Sequence, residues 1–371
     1  MLPNFPIITT IDDLRSHVSH LPEIRFAVQP NGYTVVCAMI ADTDTYAGPS
    51  APWARECRGI TFDKNGLIVA RPLHKFFNMN EREDTMEHKL NFNDAVRIMD
   101  KRDGSMIHPV MMADCSVVMK SKKSFESDVA IAATKYLQAN TLIKNFCERM
   151  TAHGKTPIFE YTAPTARIVL AYPFEELRLL HIRDNLTGEY LDLDVFAPNI
   201  PRVDNTNYVD LAPSKPNFLS SLKTHLELDS GYEGFVIQFS NGDMVKAKTA
   251  WYLDLHHNVT FPTYRSVATM VLNETVDDFR SYLHQAGEND RLLEIIKIIE
   301  DQVVSELKVI ELDIESVLQK DGTLERKNFA IKYREHKYFG LLMATYVGKE
   351  PSYRDYYTKN LLKDRFSTDQ I

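Results

Sequence analysis

Four cysteines in 371 residues (Cys37, Cys57, Cys115 and Cys147) are scattered, with no CxxC pair and no Cys/His cluster. That scarcity disfavours a disulfide scaffold and a structural zinc site, and it fits a reducing cytoplasm. No apolar run reaches the roughly 18 residues of a membrane-spanning helix. The first residues, MLPNFPIITT, lack a basic segment followed by an apolar stretch, so neither membrane insertion nor secretion is expected. Excess positive charge is also missing: the formal net charge is −8. This argues against indiscriminate wrapping of nucleic acid but leaves room for a local basic groove.

What is present suits a soluble globular chain, with 44% hydrophobic and 25% charged residues. The length predicts two domains. Residues 1–254 read mainly as short strands joined by turns. Examples are 33–40, the hairpin 58–70 around Asp63-Lys64-Asn65-Gly66, and two strands flanking a turn at Gly104 within 94–110. A strand at 116–122 and one helix around 126–150 follow. Strand patterns resume at 156–184, including RIVLAY, and the hairpin 235–248 has Asn241-Gly242 at its tip. From residue 255 glycine becomes sparse and apolar residues recur at helical spacing, most clearly over 291–320. One long bundle helix or a short coiled coil would produce that pattern. The expectation is an α+β fold: an N-terminal domain of antiparallel sheets and helices (1–254), then an all-helical C-terminal domain (255–371).

Several residues invite a chemical reading. Lys101-Arg102-Asp103-Gly104-Ser105 sits on a turn between two strand-like segments. A lysine there can attack the α-phosphorus of a nucleotide, expel pyrophosphate and hold the nucleotide as a phosphoramidate. By itself the pattern reads first as a solvated corner, because Asp-Gly is a favoured turn pair. Lys246 and Lys248 lie two apart on an expected strand, so their ammonium groups share one face. Like charges side by side are unfavourable without an anion between them, and a triphosphate would supply one. An edge strand guarded by lysines is the alternative, there and at Lys120 and Lys122. Glu160, between Phe159 and Tyr161, must face away from the core or find a partner. Arg58 could fork onto phosphate, and an aromatic in Lys75-Phe76-Phe77-Asn78 could stack on a purine. Core aromatics beside surface charge would explain those residues too.

Their order decides. Lys-x-Asp-Gly, a lysine-rich strand, a strand glutamate, Glu233-Gly234 and then Lys-x-Lys follow the order of the covalent nucleotidyltransferase motifs. The chain thereby resembles the superfamily of DNA ligases, RNA ligases and capping guanylyltransferases. Within it, ECRGITF (56–62), RPLHKFFNMNE (71–81), KRDGS (101–105), MKSKKS (119–124), FEYTAPTARIVLAY (159–172), TGEY (187–190), YEGFV (232–236) and KAKTAWYLDLH (246–256) resemble the phage RNA ligase 1 family. That family comprises the tRNA-repairing ligases typified by T-even bacteriophages, and the resemblance covers most of residues 30–257.

The resemblance implies that Lys101 is the adenylated nucleophile of an ATP-dependent ligase. Arg58, Lys75 and Phe77 would line the ATP site. Glu160 and Glu233 would hold the water shell of Mg²⁺ (or Mn²⁺), and Lys246 and Lys248 would bind phosphates. Lys120 and Lys122 would serve the same site, and Asp277 of the pair Asp277-Asp278 would match an acidic metal contact. Implied partners are single-stranded or loop RNA ends, as in a cleaved tRNA; nothing in the sequence suggests more than a monomer, and a cytoplasmic location is expected, the host-cell cytoplasm if the chain is phage-encoded. An RNA end-healing kinase/phosphatase would act alongside. Arg102 and Lys123 depart from the best-known member, which has an acid and a glycine there.

Rival readings are a capping guanylyltransferase, a DNA ligase, a non-catalytic RNA-binding protein of the same fold, and a coiled-coil protein built on 291–320. The first two leave the flanking matches at 71–81 and 159–172 unexplained. The third leaves unexplained why every motif position holds a chemically competent residue, and the last ignores the N-terminal two-thirds.

Overall fold

The computed structural model describes residues 5–39, 44–166, 172–204, 211, 213, 215–229, 232–252, 263–285, 290–349 and 351–369. The chain divides into two units, Met1–His256 and His257–Ile371.

In the first unit the alternating segments become strands. In chain order these are Ile24–Val28 (β1), Thr34–Ala38 (β2), Arg58–Phe62 (β3), Ile68–Ala70 (β4), Phe77–Asn78 (β5) and Ala95–Asp100 (β6). Ser105–Met111 (β7), Val117–Lys120 (β8), Lys155–Thr162 (β9), Glu176–Asp184 (β10), Gly234–Phe239 (β11) and Met244–Lys248 (β12) complete the series. They form three four-stranded sheets, ordered β1-β2-β3-β4, β10-β9-β7-β8 and β5-β12-β11-β6. Neighbours are antiparallel except β5 and β12, which run parallel. The expected hairpins at 58–70 and 235–248 are present, and Gly242 takes the positive φ (+86°) that the second turn needs.

Side-chain alternation assigns the faces. Phe76, Met99, Ile158, Leu180, Val236 and Met244 form the apolar layer shared by the second and third sheets. Residues one position along point the other way. Phe159 and Leu179 pack under helices Asp128–Ala139 and Thr141–Ala152, while Ile98, Phe235, Ile237 and Val245 pack under helix Phe218–Leu228. The single helix expected over 126–150 is in fact two. Asn140 leaves helical geometry (φ −113°, ψ 92°), and its side chain accepts from the Ile143 N–H, capping a second helix. The RIVLAY strand expectation falls largely outside the described residues.

The second unit is helical. Its long helix, Asp290–Asp321, buries Ile296, Ile299, Val303, Leu307, Ile310 and Ile314, a three–four spacing that makes one stripe. Helices Tyr264–Leu272, Phe339–Tyr346 and Tyr353–Asn360 pack against it. Tyr357 donates to Glu306 Oε2 at 2.8 Å. Among the described residues no helix is long and apolar enough to cross a membrane.

Candidate active site

The apolar layer between the second and third sheets gives way to charge at one end. Met99 and Lys101, Ile158 and Glu160, and Met244, Lys246 and Lys248 each continue one strand face, so the charged residues extend the faces that build the layer. Register brings them together: Asp100 pairs with Phe235, and Gly234 with Lys248. The Lys101 N–H donates to Gly234 O at 2.7 Å.

Glu233 sits at the centre, 2% exposed. Its Oε1 accepts from Lys101 Nζ at 2.7 Å and from Lys248 Nζ at 2.9 Å, whereas Oε2 is buried with no hydrogen-bond partner. Burial would raise this carboxyl, but Lys101 and Lys248 outweigh it and hold it below its ordinary value. Burial pushes the Glu160 carboxyl up to about 7; Lys101 opposes that shift and the Glu233 charge reinforces it.

Two glycines make the geometry feasible. A Cβ on Gly104 would lie 2.5 Å from Tyr161 O and 3.1 Å from Glu160 Cγ, so the turn after Lys101 can press onto β9 only as glycine. Gly234 has φ +144°, and a Cβ there would stand 2.1 Å from Ala247 O. The Lys-x-Asp-Gly and Glu-Gly motifs are therefore steric as well as chemical. Asp103 is buried; its N–H donates to Tyr172 Oη at 3.0 Å, and its Oδ1 accepts from Tyr252 Oη at 3.2 Å. Lys248 Nζ stands 5.1 Å over the Tyr252 ring. Tyr172 and Tyr252 were not singled out from sequence; the only signal was their place in FEYTAPTARIVLAY and KAKTAWYLDLH. Arg102 pairs with Glu176 at 3.0 Å and lies 4.7 Å over the Tyr172 ring.

The remaining expected residues divide. Arg58 and Lys246 flank the ring of Phe76, at 5.9 and 5.6 Å, and Arg58 interacts electrostatically with Glu160. Phe77 is 3% exposed and lies in the core of the first sheet with Ile60 and Phe62. Lys75 Nζ stands 4.9 Å over that ring, with Arg55 and Arg82 also around it. Phe76, one residue from the one expected to line the ATP site, is thus the aromatic of that stretch that meets Arg58 and Lys246. Lys120 is on an edge strand, yet fully buried: its ammonium donates to the carbonyls of Gly59, Ser121 and Lys122 at 3.3, 3.0 and 3.1 Å. Lys122 contributes that carbonyl, which also accepts from Cys37 Sγ at 3.3 Å. The edge-strand account fails for Lys246 and Lys248, since β12 lies between β5 and β11. Asp277 belongs to the second unit, where it pairs with Arg280 at 3.6 Å.

Among the described residues no group of three or more His, Cys, Asp or Glu is arranged to ligate a metal directly. The donor set nonetheless fits a hydrated Mg²⁺. Glu160 and Glu233 are neighbouring carboxylates, one pushed toward protonation and the other with an unpartnered buried oxygen. A hard cation that keeps several waters relieves both conditions.

The chain is similar to known RNA ligases. A candidate RNA ligase of Thermovibrio ammonificans is 29% identical over 266 residues, which make up 67% of this chain and 66% of that protein. RNA ligase 1 of Bacteriophage TS2126 is 25% identical over 209 residues, 54% of this chain and 52% of that one. The chain thus aligns with somewhat under two thirds and about half of their lengths. A solved archaeal ATP-dependent RNA ligase aligns with a TM-score of 0.45 at 13% identity, covering 87% of this chain and 86% of the other. The RNA ligase family pattern matches residues 56–252, more than half of the sequence and every motif from Glu56 to Tyr252, and the chain belongs to that family.

Proposed function

We propose that this protein is an ATP-dependent RNA ligase working through a lysyl-AMP on Lys101. The observation that carries the reading is the meeting of Lys101, Glu233 and Lys248 at adjacent strand ends, in a chain of the RNA ligase family. In the first step Lys101 Nζ loses a proton and attacks the α-phosphorus of ATP; the bond to pyrophosphate breaks as the P–N bond forms. An RNA 5′-phosphate oxygen then takes the AMP, breaking the P–N bond. Finally an RNA 3′-hydroxyl attacks the activated 5′-phosphorus, forming the phosphodiester and releasing AMP.

A free lysine titrates near 10.4, so bringing an amine to neutrality at pH 7 needs about three units, or roughly 4 kcal/mol. A carboxylate favours the ammonium, so Glu233 is not the activating group. Positive neighbours favour the neutral amine, a role for Lys246 and Lys248. Both also suit charge developing on the phosphates, with Arg58 beside Glu160. Glu160 and Glu233 would hold the Mg²⁺ hydration shell, and the ion would supply Lewis-acid stabilisation of the phosphate oxygens.

Single-stranded RNA ends, as in a cleaved tRNA, are the substrate that the family resemblance favours. The deciding experiment offers a 5′-phosphorylated single-stranded RNA with ATP and Mg²⁺ and looks for circularisation. DNA and nicked-duplex substrates run in parallel; sealing of those alone, or label transfer from GTP alone, would contradict the proposal.

A further inference from the structure

Three of the family-like segments converge where no nucleotide chemistry is needed. Glu56, Arg71 and Arg183 form a buried ion triad, with Glu56 2% exposed and both arginines at 0%. Arg71 Nε donates to Glu56 Oε2 at 3.0 Å, and Arg183 forks onto Oε2 at 2.8 Å and Oε1 at 2.9 Å. The other guanidinium N–H groups reach carbonyls of distant segments. Arg71 reaches Pro6, Asn185 and Leu186, and Arg183 reaches Pro72 and Gly188. Gly188 is required for closure: its φ is +76°, and a Cβ would stand 2.5 Å from the Arg71 guanidinium. Burial would raise the Glu56 carboxyl, but Arg183 and Arg71 outweigh it and hold it far below the usual carboxylate range.

The triad lies a short way along the chain from two residues of the expected site and one strand pair from a third. Glu56 precedes Arg58 by two positions, and Arg71 precedes Lys75 by four. The Lys75 N–H donates to Arg55 O at 2.7 Å, tying these two segments together. Arg183 is on β10, opposite Thr156 of β9, the strand that carries Glu160. Forked arginine–carboxylate pairs fix direction as well as distance, which one hydrogen bond does not.

We infer that Glu56 is a positioning residue for the nucleotide site: gripped by Arg71 and Arg183, it holds the Arg58 and Lys75 segments in one register with the strand pair that carries Glu160. The inference rests on the lysyl-adenylate reading above. It assigns ECRG, RPL and TGEY a shared purpose, which is to keep phosphate-binding cations at a set distance from the nucleophile.

The test uses the full chain, with Lys101 adenylation followed from α-labelled ATP across ATP concentrations, beside thermal melting and a count of adenylated sites. Glu56→Gln removes the charge at constant shape. It should raise the KM for ATP by roughly tenfold or more in the molecules that fold, since small misplacements at a site have large kinetic effects. A merely structural triad would lower the melting temperature and the number of active sites while leaving KM at the wild-type value, and that result overturns the proposal. If Glu56→Gln does not fold, Arg183→Lys decides, because it keeps the charge and loses the fork onto Glu56. A raised KM supports positioning, and an unmoved KM or a second failure to fold overturns it. A wild-type chain that forms no adenylate would overturn the functional reading and this proposal together. Adenylation with an unmoved KM in the variants overturns this proposal alone.

Discussion

Lys101 and Glu233 are ion-paired at 2.7 Å, and the same Glu233 oxygen holds Lys248 at 2.9 Å. One carboxylate oxygen therefore joins the residue after β6 to the last residue of β12, across the strand that lies between them. It sets the ammonium groups of Lys101 and Lys248 on one carboxylate oxygen.

Glu233→Gln keeps the shape and removes the charge that Lys101 and Lys248 share. Lysyl-adenylate formation should fall by roughly 100-fold, the scale of losing one preorganised electrostatic contact. Lys101→Ala should abolish it. Radiolabel from α-labelled ATP that persists on Lys101→Ala would show that another residue is the nucleophile.

Gly104→Ala places a methyl 2.5 Å from Tyr161 O. Overpacking of this kind costs about 1–3 kcal/mol, so the variant should fold. The turn must shift, however, moving Lys101 relative to Glu160. Adenylation should drop far more than the urea midpoint suggests, and proportionate losses of both would contradict the steric account.

Asp100 reports on pH. Burial pushes its carboxyl up to about 6, partly opposed by Arg102, and its Oδ1 is buried without a partner. Because the folded state holds this proton more tightly than the unfolded chain, stability falls as pH rises from about 4 to about 6, and the penalty is complete above that window. A shift of about two units corresponds to roughly 3 kcal/mol at most. Partial exposure reduces this to about 1–2 kcal/mol. Asp100→Asn should stabilise the protein by that amount at pH 8 and scarcely at pH 4, read from urea midpoints. Equal gains at both pH values would refute the assignment.

Phe77 should matter for folding more than for nucleotide choice. Phe77→Leu removes ring contacts with Tyr46 and with the surrounding cations. A loss of about 1–2 kcal/mol is expected, with the preference for ATP over GTP intact. Altered preference without a stability loss would restore Phe77 to the purine site.

The legible part of this protein was the part that depends on neighbours in sequence. Strand alternation, the Asp63–Gly66 and Asn241–Gly242 turns, and the helical stripe over 291–320 all follow from local pattern. So did the identity and order of Lys101, Glu160, Glu233, Lys246 and Lys248, because a motif is a sequence of chemical groups. Local pattern also assigned Lys246 and Lys248 to one face.

Which face meets the second sheet was decided elsewhere. A period of two separates Phe76 from Phe77 but does not say which meets the second sheet; Met99, Ile158 and Met244 settle that by packing on Phe76. Lys120 looked like an exposed edge lysine until the carbonyls of Gly59, Ser121 and Lys122 closed around its ammonium. Glu56, Arg71 and Arg183 lie up to 127 positions apart and carry no signal of their pairing. The sequence determined which groups this protein owns and how each strand displays them. Only the tertiary structure decided which of them meet and which are buried as scaffold, because burial and charge pairing depend on segments that meet only on folding.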